Sequence, residues 1–335
     1  MAEKIRWGIL GCGKIAAKFA ADLRLVKDSM LAAVASRDGE KAADFAKTFG
    51  AELVFDNYEA LASSSVDVIY IATPHSFHYE HSVLCLSAKK AVLCEKPFAI
   101  NLEQAKRAIA VAKENKTFIM EAFWSKFLPQ YKKVIEIINA GTIGTITWVQ
   151  ADFGFKADEP IPARLWDPLL GGGALLDIGI YPVFLAQSLL GKPEEITASI
   201  TPFPGGVDQQ CAITLRHKGG ALSALSATFS SDTPVQAVIA GTLGRIEMHN
   251  RFHNPTSRVY LAVGKEPLQE LEVYRQDGYG YQFEAQHVTD CLLQGLTESP
   301  VLTHQDTLDL METLDRIRKV CGIKYPEDDQ FLADH

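Results

Sequence analysis

Up to Met120 the chain alternates short, unbroken apolar runs with longer segments of helical spacing. Ile5–Leu10, Leu31–Ser36, Val66–Ala72, Ala91–Cys94 and Thr117–Met120 read as strands. Lys14–Val26, Glu40–Phe49, Phe77–Ala88 and Leu102–Glu114 read as the helices between them; the second gathers Ala42, Ala43, Phe45 and Ala46 on one side. A strand that is apolar at every position has both faces covered, and intervening helices supply the cover. The pattern predicts a doubly wound α/β domain on a parallel sheet.

Beyond Gly144 the period changes. Thr147–Phe155, Ile196–Thr201, Gln210–His217, Leu222–Ser230, Val235–Gly241 and Val259–Val263 read as strands, several with period-two alternation. Only Ala174–Leu190, Tyr281–Gln294 and Thr307–Val320 have helical spacing. Many consecutive strands with few helices predict a second α/β domain built on a large, mainly antiparallel sheet that is open on one face. Val149, Leu225 and Phe229 are expected on the uncovered face, and an apolar open face predicts a homodimer. A length of 335 residues suits two domains, with the boundary between residues 122 and 123.

Composition narrows the functional classes. Hydrophobic residues make up 47% of the chain and charged residues 22%, which is ordinary for a globular protein and excludes wholesale disorder. The net charge of -8, with no Lys/Arg run longer than two, argues against nucleic acid or an anionic membrane as partner. No apolar stretch is long enough to span a bilayer, and the short run Trp7–Leu10 stops at Gly11 without forming a secretory signal. Six scattered cysteines without a C-x-x-C pair read as reduced thiols, so a cytoplasmic location is expected.

Candidate chemistry begins at Gly11-Cys-Gly13-Lys14-Ile15-Ala16, between a predicted strand and a predicted helix. Gly11 permits a tight turn, Gly13 lets the backbone approach a pyrophosphate, and Ala16 lets helix and sheet pack closely. The second strand ends in Ser36-Arg37, with no carboxylate at its tip to hold a ribose 2′-hydroxyl. Both side chains suit a 2′-phosphate, which favours NADP, and Asp38 reads as the cap of the next helix. Lys96 follows the strand Ala91–Cys94 at the sheet's carboxyl edge, where ligands of such sheets bind. Asp177 and Tyr181, four apart on an apolar helix, share one face, either as chemistry or as a brace between two layers. His75, His78 and His81 lack further ligands aimed at one point, so no metal is expected; His75 and His78 are read as lining the cofactor crevice.

In this order and spacing, Gly11-Cys-Gly13-Lys-Ile-Ala16, Ala72-Thr73-Pro74-His75-Ser-Phe-His78, Glu95-Lys96-Pro97 and Gly171-Gly-Gly173 leading to Asp177 resemble the glucose-fructose oxidoreductase/inositol dehydrogenase/MocA family across essentially the whole chain. The resemblance implies a Rossmann domain at 1–122 and a substrate-binding, dimerising domain at 123–335. It implies nicotinamide-dependent redox chemistry on sugars, cyclitols and related alcohols, with Lys96 at the active site. Thr73, Pro74 and Glu95 join Gly11, Gly13, Lys14, Ile15, Ser36, Arg37, His75, His78 and Lys96 as expected cofactor contacts.

Many members of the family carry histidine four residues after the aspartate, where this chain has Tyr181. Leu176-Asp177-Ile-Gly179-Ile-Tyr181, with Met120-Glu121-Ala-Phe-Trp124, is similar to the dimeric dihydrodiol dehydrogenase branch. That branch uses NADP to oxidise trans-dihydrodiols of arenes and, in some members, D-xylose and other pyranoses at C1. Its acid/base tyrosine maps to Tyr181, which argues against an inositol dehydrogenase. The family's frequent Trp-Arg pair is here Trp166-Asp167, with Arg164 two residues earlier.

The expectation is therefore an NADP-dependent oxidoreductase acting on a cyclic sugar or trans-dihydrodiol hydroxyl. Tyr181 is its acid/base, Lys96 lowers the tyrosine's pKa, and Asp177 orients substrate hydroxyls or Lys96. Trp124, Arg164 and Trp166 are candidate substrate contacts, with core packing equally open for each tryptophan. Two alternatives are a non-catalytic NADPH-binding sensor and a reductase of a keto- or anhydro-sugar.

Overall fold

The structure is a computed structural model that describes residues 4–275 and 277–330. It divides into two compact units, Met1–Trp124 with Gln276–Leu308, and Ser125–Arg275 with Asp309–His335. Neither unit is one continuous stretch. The observed break lies close to residue 122, but residues 276–308, expected in the second domain, pack with the first unit.

The first run of elements is β1 (Ile5–Leu10), α1 (Lys14–Leu23), β2 (Ser29–Ala35), α2 (Gly39–Phe49), β3 (Leu53–Phe55), α3 (Tyr58–Ala62), β4 (Val68–Ile71), α4 (His78–Ser87), β5 (Ala91–Glu95), α5 (Leu102–Asn115) and β6 (Ile119–Ala122). The second run is α6 (Pro129–Asn139), β7 (Ile146–Gly154), α7 (Ala163–Trp166), α8 (Ile180–Leu190), β8 (Pro193–Pro202), β9 (Asp208–His217) and β10 (Leu222–Thr228). It continues with β11 (Ala237–Gly241), β12 (Gly244–His249), β13 (Arg258–Val263), β14 (Gln269–Glu270), α9 (Tyr281–Leu293) and α10 (His304–Cys321).

In the first unit six strands run parallel in the order β3-β2-β1-β4-β5-β6. Every residue of β4 and β5 is buried, as continuous apolar strands between two helical layers must be. The strand order reverses between β1 and β4, which opens the crevice where such sheets bind ligands. β3 and α3 escape a periodicity reading because three partly exposed residues and a five-residue helix are too short to show a period. Helix α9 belongs here because the Asp22 carboxylate on α1 accepts the Tyr279 N–H at 2.8 Å and the Tyr281 N–H at 2.9 Å. The Trp7 indole donates to Thr289 at 3.3 Å. These partners lie more than 250 residues apart, beyond any local pattern.

The second unit holds an eight-stranded sheet in the order β14-β13-β12-β11-β7-β10-β9-β8. Every pair is antiparallel except β7 with β10, which is parallel. Val149, Leu225 and Phe229 are at most 3% exposed within the single chain. They therefore lie on the helix-covered side, which corrects their expected placement. The open face is lined by Trp148, Gln150, Leu222, Ala224, Val238 and Ala240, in register across β7, β10 and β11. It is mixed, not greasy. Under the covered side runs α8, whose residues Ile180 to Ala186 are all buried. The stretch Pro168–Leu190 is long and apolar enough to cross a membrane by composition, and it is mostly buried inside this unit.

Candidate functional site

The glycine turn after β1 has little room for side chains. Gly11 has φ +98°, and a Cβ there would lie 3.0 Å from the Ala72 carbonyl at the end of β4. The carboxyl ends of β1 and β4 thus leave no room for a side chain. Gly13 caps α1 without a side-chain partner, so the amides that follow at Lys14 and Ile15 have no side-chain acceptor. Uncapped amides at the positive end of a helix suit a pyrophosphate. The intervening Cys12 thiol is buried and pushed up to about 11, so it stays protonated.

At the tip of β2, Asp38 accepts the Lys41 N–H at 3.1 Å and caps α2, as read from sequence. The Ser36 hydroxyl accepts the Asp38 N–H at 3.2 Å. The exposed Arg37 guanidinium lies 5.7 Å over the Phe77 ring. Phe77 stacks on His81 at 5.7 Å, and His81 meets the edge of Tyr58 at 4.8 Å. Burial, reinforced by His78 and Arg37, pulls His81 down to about 4, so it stays neutral and leaves Arg37 as the local cation. Phe77 and His81 from one segment and Tyr58 from another form this shelf, and sequence reasoning did not find it.

The loops after β4 and β5 are pinned together by His78, which is fully buried. Its Nδ1 lies 2.7 Å from the Pro97 carbonyl and its Nε2 lies 2.9 Å from the Thr73 carbonyl. Burial holds its pKa below the ordinary imidazole value, although both carbonyls oppose that shift. Thr73 also meets His81 Nδ1 at 3.0 Å, while His75 sets its ring edge-on to His78 at 5.7 Å. Pro74 precedes the short turn His75–Phe77.

Beneath Lys96, the Glu95 carboxylate accepts from the Tyr70 hydroxyl and from the Lys96 amide, the latter at 3.1 Å. Glu121 accepts the Phe98 N–H at 3.0 Å and the Thr307 hydroxyl at 3.2 Å. Burial pushes it up to about 7. Glu284 is fully buried, and burial with the nearby Glu95 charge raises it well above the carboxylate range. Glu95 and Glu121 thus hold the loop that presents Lys96, and Glu284 is buried near Glu95. Trp124 is buried in the same unit and stacks on Tyr281 at 4.7 Å.

In the second unit the expected single helix over Ala174–Leu190 is interrupted at its start. Leu175–Gly179 forms a wide π-turn and α8 follows it. Such turns recur where a side chain must be aimed out of helical register, and Asp177 sits in this one. Its Oδ2 accepts from Arg164 Nη1 at 3.0 Å, so the structure brings these two expected residues together. Trp166 is 39% exposed and donates its indole N–H to the Ile161 carbonyl at 3.0 Å. Tyr181 is buried, with its ring 4.6 Å from His253 and 5.8 Å from Phe153. His253 in turn stacks on Phe153 at 4.3 Å. The sequence offered no signal that His253 or Phe153 would neighbour Tyr181. Among the described residues no cluster of His, Cys, Asp and Glu could hold a metal.

Comparison with known proteins places this geometry. Residues 5–123 match a family model described as an oxidoreductase family with an NAD-binding Rossmann fold, and residues 131–247 match the GFO/IDH/MocA C-terminal domain. The trans-1,2-dihydrobenzene-1,2-diol dehydrogenase of Xenopus tropicalis is 36% identical, over 96% of this chain and 99% of its own. The protein of the same name from Homo sapiens is 35% identical, over 97% and 99%. A 3-ketoreductase from Actinomadura kijaniata, solved with NADP and TDP-benzene, is 28% identical with a TM-score of 0.85, over 95% of this chain and 98% of its own. An aldose-aldose oxidoreductase from Caulobacter crescentus shares the fold at a TM-score of 0.88 and 24% identity, over 95% and 98%. Two domain matches in tandem, and relatives aligned from end to end, show that this chain is an oxidoreductase of the GFO/IDH/MocA family.

Proposed function

We propose that this oxidoreductase uses NADP to oxidise a ring hydroxyl of a cyclic sugar or a trans-dihydrodiol. The observation that carries the reading is Tyr181, a buried phenol in the otherwise apolar stretch Ile180–Ala186, set just beyond the Arg164–Asp177 pair. Burying a phenol hydroxyl costs free energy that an apolar side chain at the same position would not. The end-to-end likeness to dihydrodiol dehydrogenases supports the substrate class. Arg37 and Ser36 at the tip of β2, with no carboxylate there for a ribose hydroxyl, support NADP.

The cofactor, when bound, supplies the hydride acceptor. The chain's own residues do the rest. The amides of Lys14 and Ile15 hold the pyrophosphate, while Arg37 and Ser36 hold the 2′-phosphate. Thr73, Pro74, His75 and His78 shape the crevice, and Glu95 aims Lys96. Tyr181 takes the proton of the reacting alcohol. A free phenol has a pKa of about 10, so a nearby positive charge is needed for it to act near neutrality; Lys96 is assigned that role. Asp177, steadied by Arg164, receives the neighbouring substrate hydroxyls, and Trp124 and Trp166 are assigned as apolar walls.

A second reading runs the same chemistry backwards, as reduction of a keto-sugar, and the likeness to a 3-ketoreductase solved with NADP favours it. We also infer a homodimer through the open face of the second sheet, where Trp148, Leu222 and Val238 remain partly exposed, and a cytoplasmic location in keeping with six unpaired cysteines.

Tyr181→Phe tests the proposal. It keeps the ring against His253 and removes the ionisable oxygen. With D-xylose and trans-1,2-dihydrobenzene-1,2-diol as probes, kcat should fall by about 10²–10⁴-fold, with NADP affinity unchanged. A rate within a few-fold of the parent's would reassign Tyr181 to packing. NADPH binding without turnover of either probe would support a sensor.

A further inference from the structure

We propose that Asp208 and Tyr325 are positioning residues for the site, holding the glycine turn from which both Asp177 and Tyr181 are aimed. The inference rests on the reading above, in which those two side chains meet substrate. Asp208 opens β9 and is fully buried. Its Oδ2 accepts the Leu175 N–H, the first amide of the π-turn, at 2.7 Å. From the other end of the chain, the Tyr325 hydroxyl donates to the Gly172 carbonyl at 2.5 Å.

The two side chains converge on one residue. Gly173 has φ +116°, and a Cβ on it would lie 2.6 Å from Asp208 Oδ1 and 3.0 Å from the Tyr325 hydroxyl. Any side chain at 173 would expel one or both. The same turn is tied to α7, because Gly173 N–H donates to the Leu165 carbonyl at 2.9 Å and Gly172 N–H to the Asp167 carbonyl at 3.0 Å. Arg164 on α7 and Asp177 on the π-turn therefore hang from one three-glycine junction. A shift of the junction would displace both partners of their ion pair and the start of α8.

Tyr325 is itself fixed. Its N–H donates to Asp328 Oδ2 at 2.9 Å, and Arg318 on α10 lies over its ring at 5.0 Å. Arg318 forks onto both Asp328 oxygens at 3.0 Å and reaches Asp315 at 2.7 Å, with its side chain only 5% exposed. A buried, multiply bonded cation of this kind holds its neighbours to one geometry. The last described turn of the chain thus acts as a strap over the junction. Nothing in this arrangement touches the expected chemistry directly, and nothing in the local sequence around Tyr325 announces it.

Tyr325→Phe tests the strap, since it preserves the ring under Arg318 and deletes only the hydroxyl. Small displacements of reacting groups cost up to about 10²-fold in rate. We expect kcat with D-xylose or trans-1,2-dihydrobenzene-1,2-diol to fall by about tenfold or more, with the KM for NADP unchanged. Amide exchange over Leu175–Gly179 should quicken by a similar factor, while β9 and β10 keep their protection. Asp208→Asn retains an acceptor for the Leu175 amide and should restore most of the rate lost in Asp208→Ala. Combined with Tyr181→Phe, Tyr325→Phe should add little further loss, because both act on one step. Unchanged exchange over Leu175–Gly179 in Tyr325→Phe would overturn the inference, even if the melting temperature fell. An active Tyr181→Phe enzyme would instead overturn the reading beneath it, and the exchange result would still stand or fall on its own.

Discussion

The two sheets of this protein solve the burial problem differently, and their chemistry differs accordingly. In the first, adjacent residues such as Ile9 and Leu10 point to opposite faces and are both fully buried. In the second, Ile239 is fully buried whereas its neighbour Val238 is only half-covered. A sheet covered on both sides has free only its strand ends, so the cofactor turn, Arg37, His78 and Lys96 all sit at carboxyl ends. A sheet with one covered face places side chains under its helices, and Tyr181 with its neighbours Phe153 and His253 lies there. The lesson is that layer architecture decides in advance which positions chemistry can occupy.

Core substitutions probe the comparison most strongly. Ile9→Ala and Leu10→Ala should each destabilise by about 2–5 kcal/mol, as should Ile239→Ala. Val238→Ala should cost the monomer's fold well under 1 kcal/mol, within the range of about ±0.5 kcal/mol seen for surface changes. Denaturant melts of the four variants check this, and equal losses at 238 and 239 would erase the distinction between the sheets.

The next effect concerns the buried acids of the first unit. Burial raises Glu121 from 4.5 to about 7, so the folded state holds this proton more tightly than the unfolded chain. Its contribution to stability is therefore full below 4.5 and is lost as pH rises through 7, by about 3 kcal/mol in total. Glu121→Gln can still accept the Phe98 amide and should flatten stability between those pH values. An unchanged pH slope would mean that Glu121 is ionised in the fold.

Arg37→Ala should remove a charge-assisted contact of about 1.5–3 kcal/mol, weakening NADP about tenfold or more and leaving NAD nearly untouched. Equal losses for both cofactors, read by titration, would show Arg37 to be structural. Trp148→Ala, on the open face, should alter monomer stability least. It should nevertheless weaken a homodimer, visible as a lower mass by light scattering at micromolar concentration. A monomeric parent would refute the interface outright.

The first unit was the more legible of the two. Its strands announced themselves because burial on both faces leaves no polar position, and its glycine turn announced itself because Gly11 and the Ala72 carbonyl exclude a Cβ. Asp38 as a helix cap was equally readable, since a cap is a contact between near neighbours in sequence. In the second unit period two told which residues share a face but not which face is covered, and Val149, Leu225 and Phe229 were misplaced for that reason. The π-turn at Leu175–Gly179 was invisible, because its first amide and the glycine turn before it are bonded to Asp208 and Tyr325, 33 and 153 residues away.

By itself the sequence determined the strand–turn–helix that receives a dinucleotide, the absence of an acidic residue at the tip of β2, and the presence of Lys96, Asp177 and Tyr181. Each of these is set within a few residues of chain, where local sterics and hydrogen bonding decide the outcome. Only the tertiary structure decided that Phe77, His81 and Tyr58 build a shelf beside Arg37. It alone decided that Glu95, Glu121 and Glu284 gather in one interior, that residues 276–308 return to the first unit, and that Arg164 pairs with Asp177. Most of those contacts join segments far apart in the chain. Their energy comes from burial and pairing in the folded state, which leaves no period or spacing in the sequence to read.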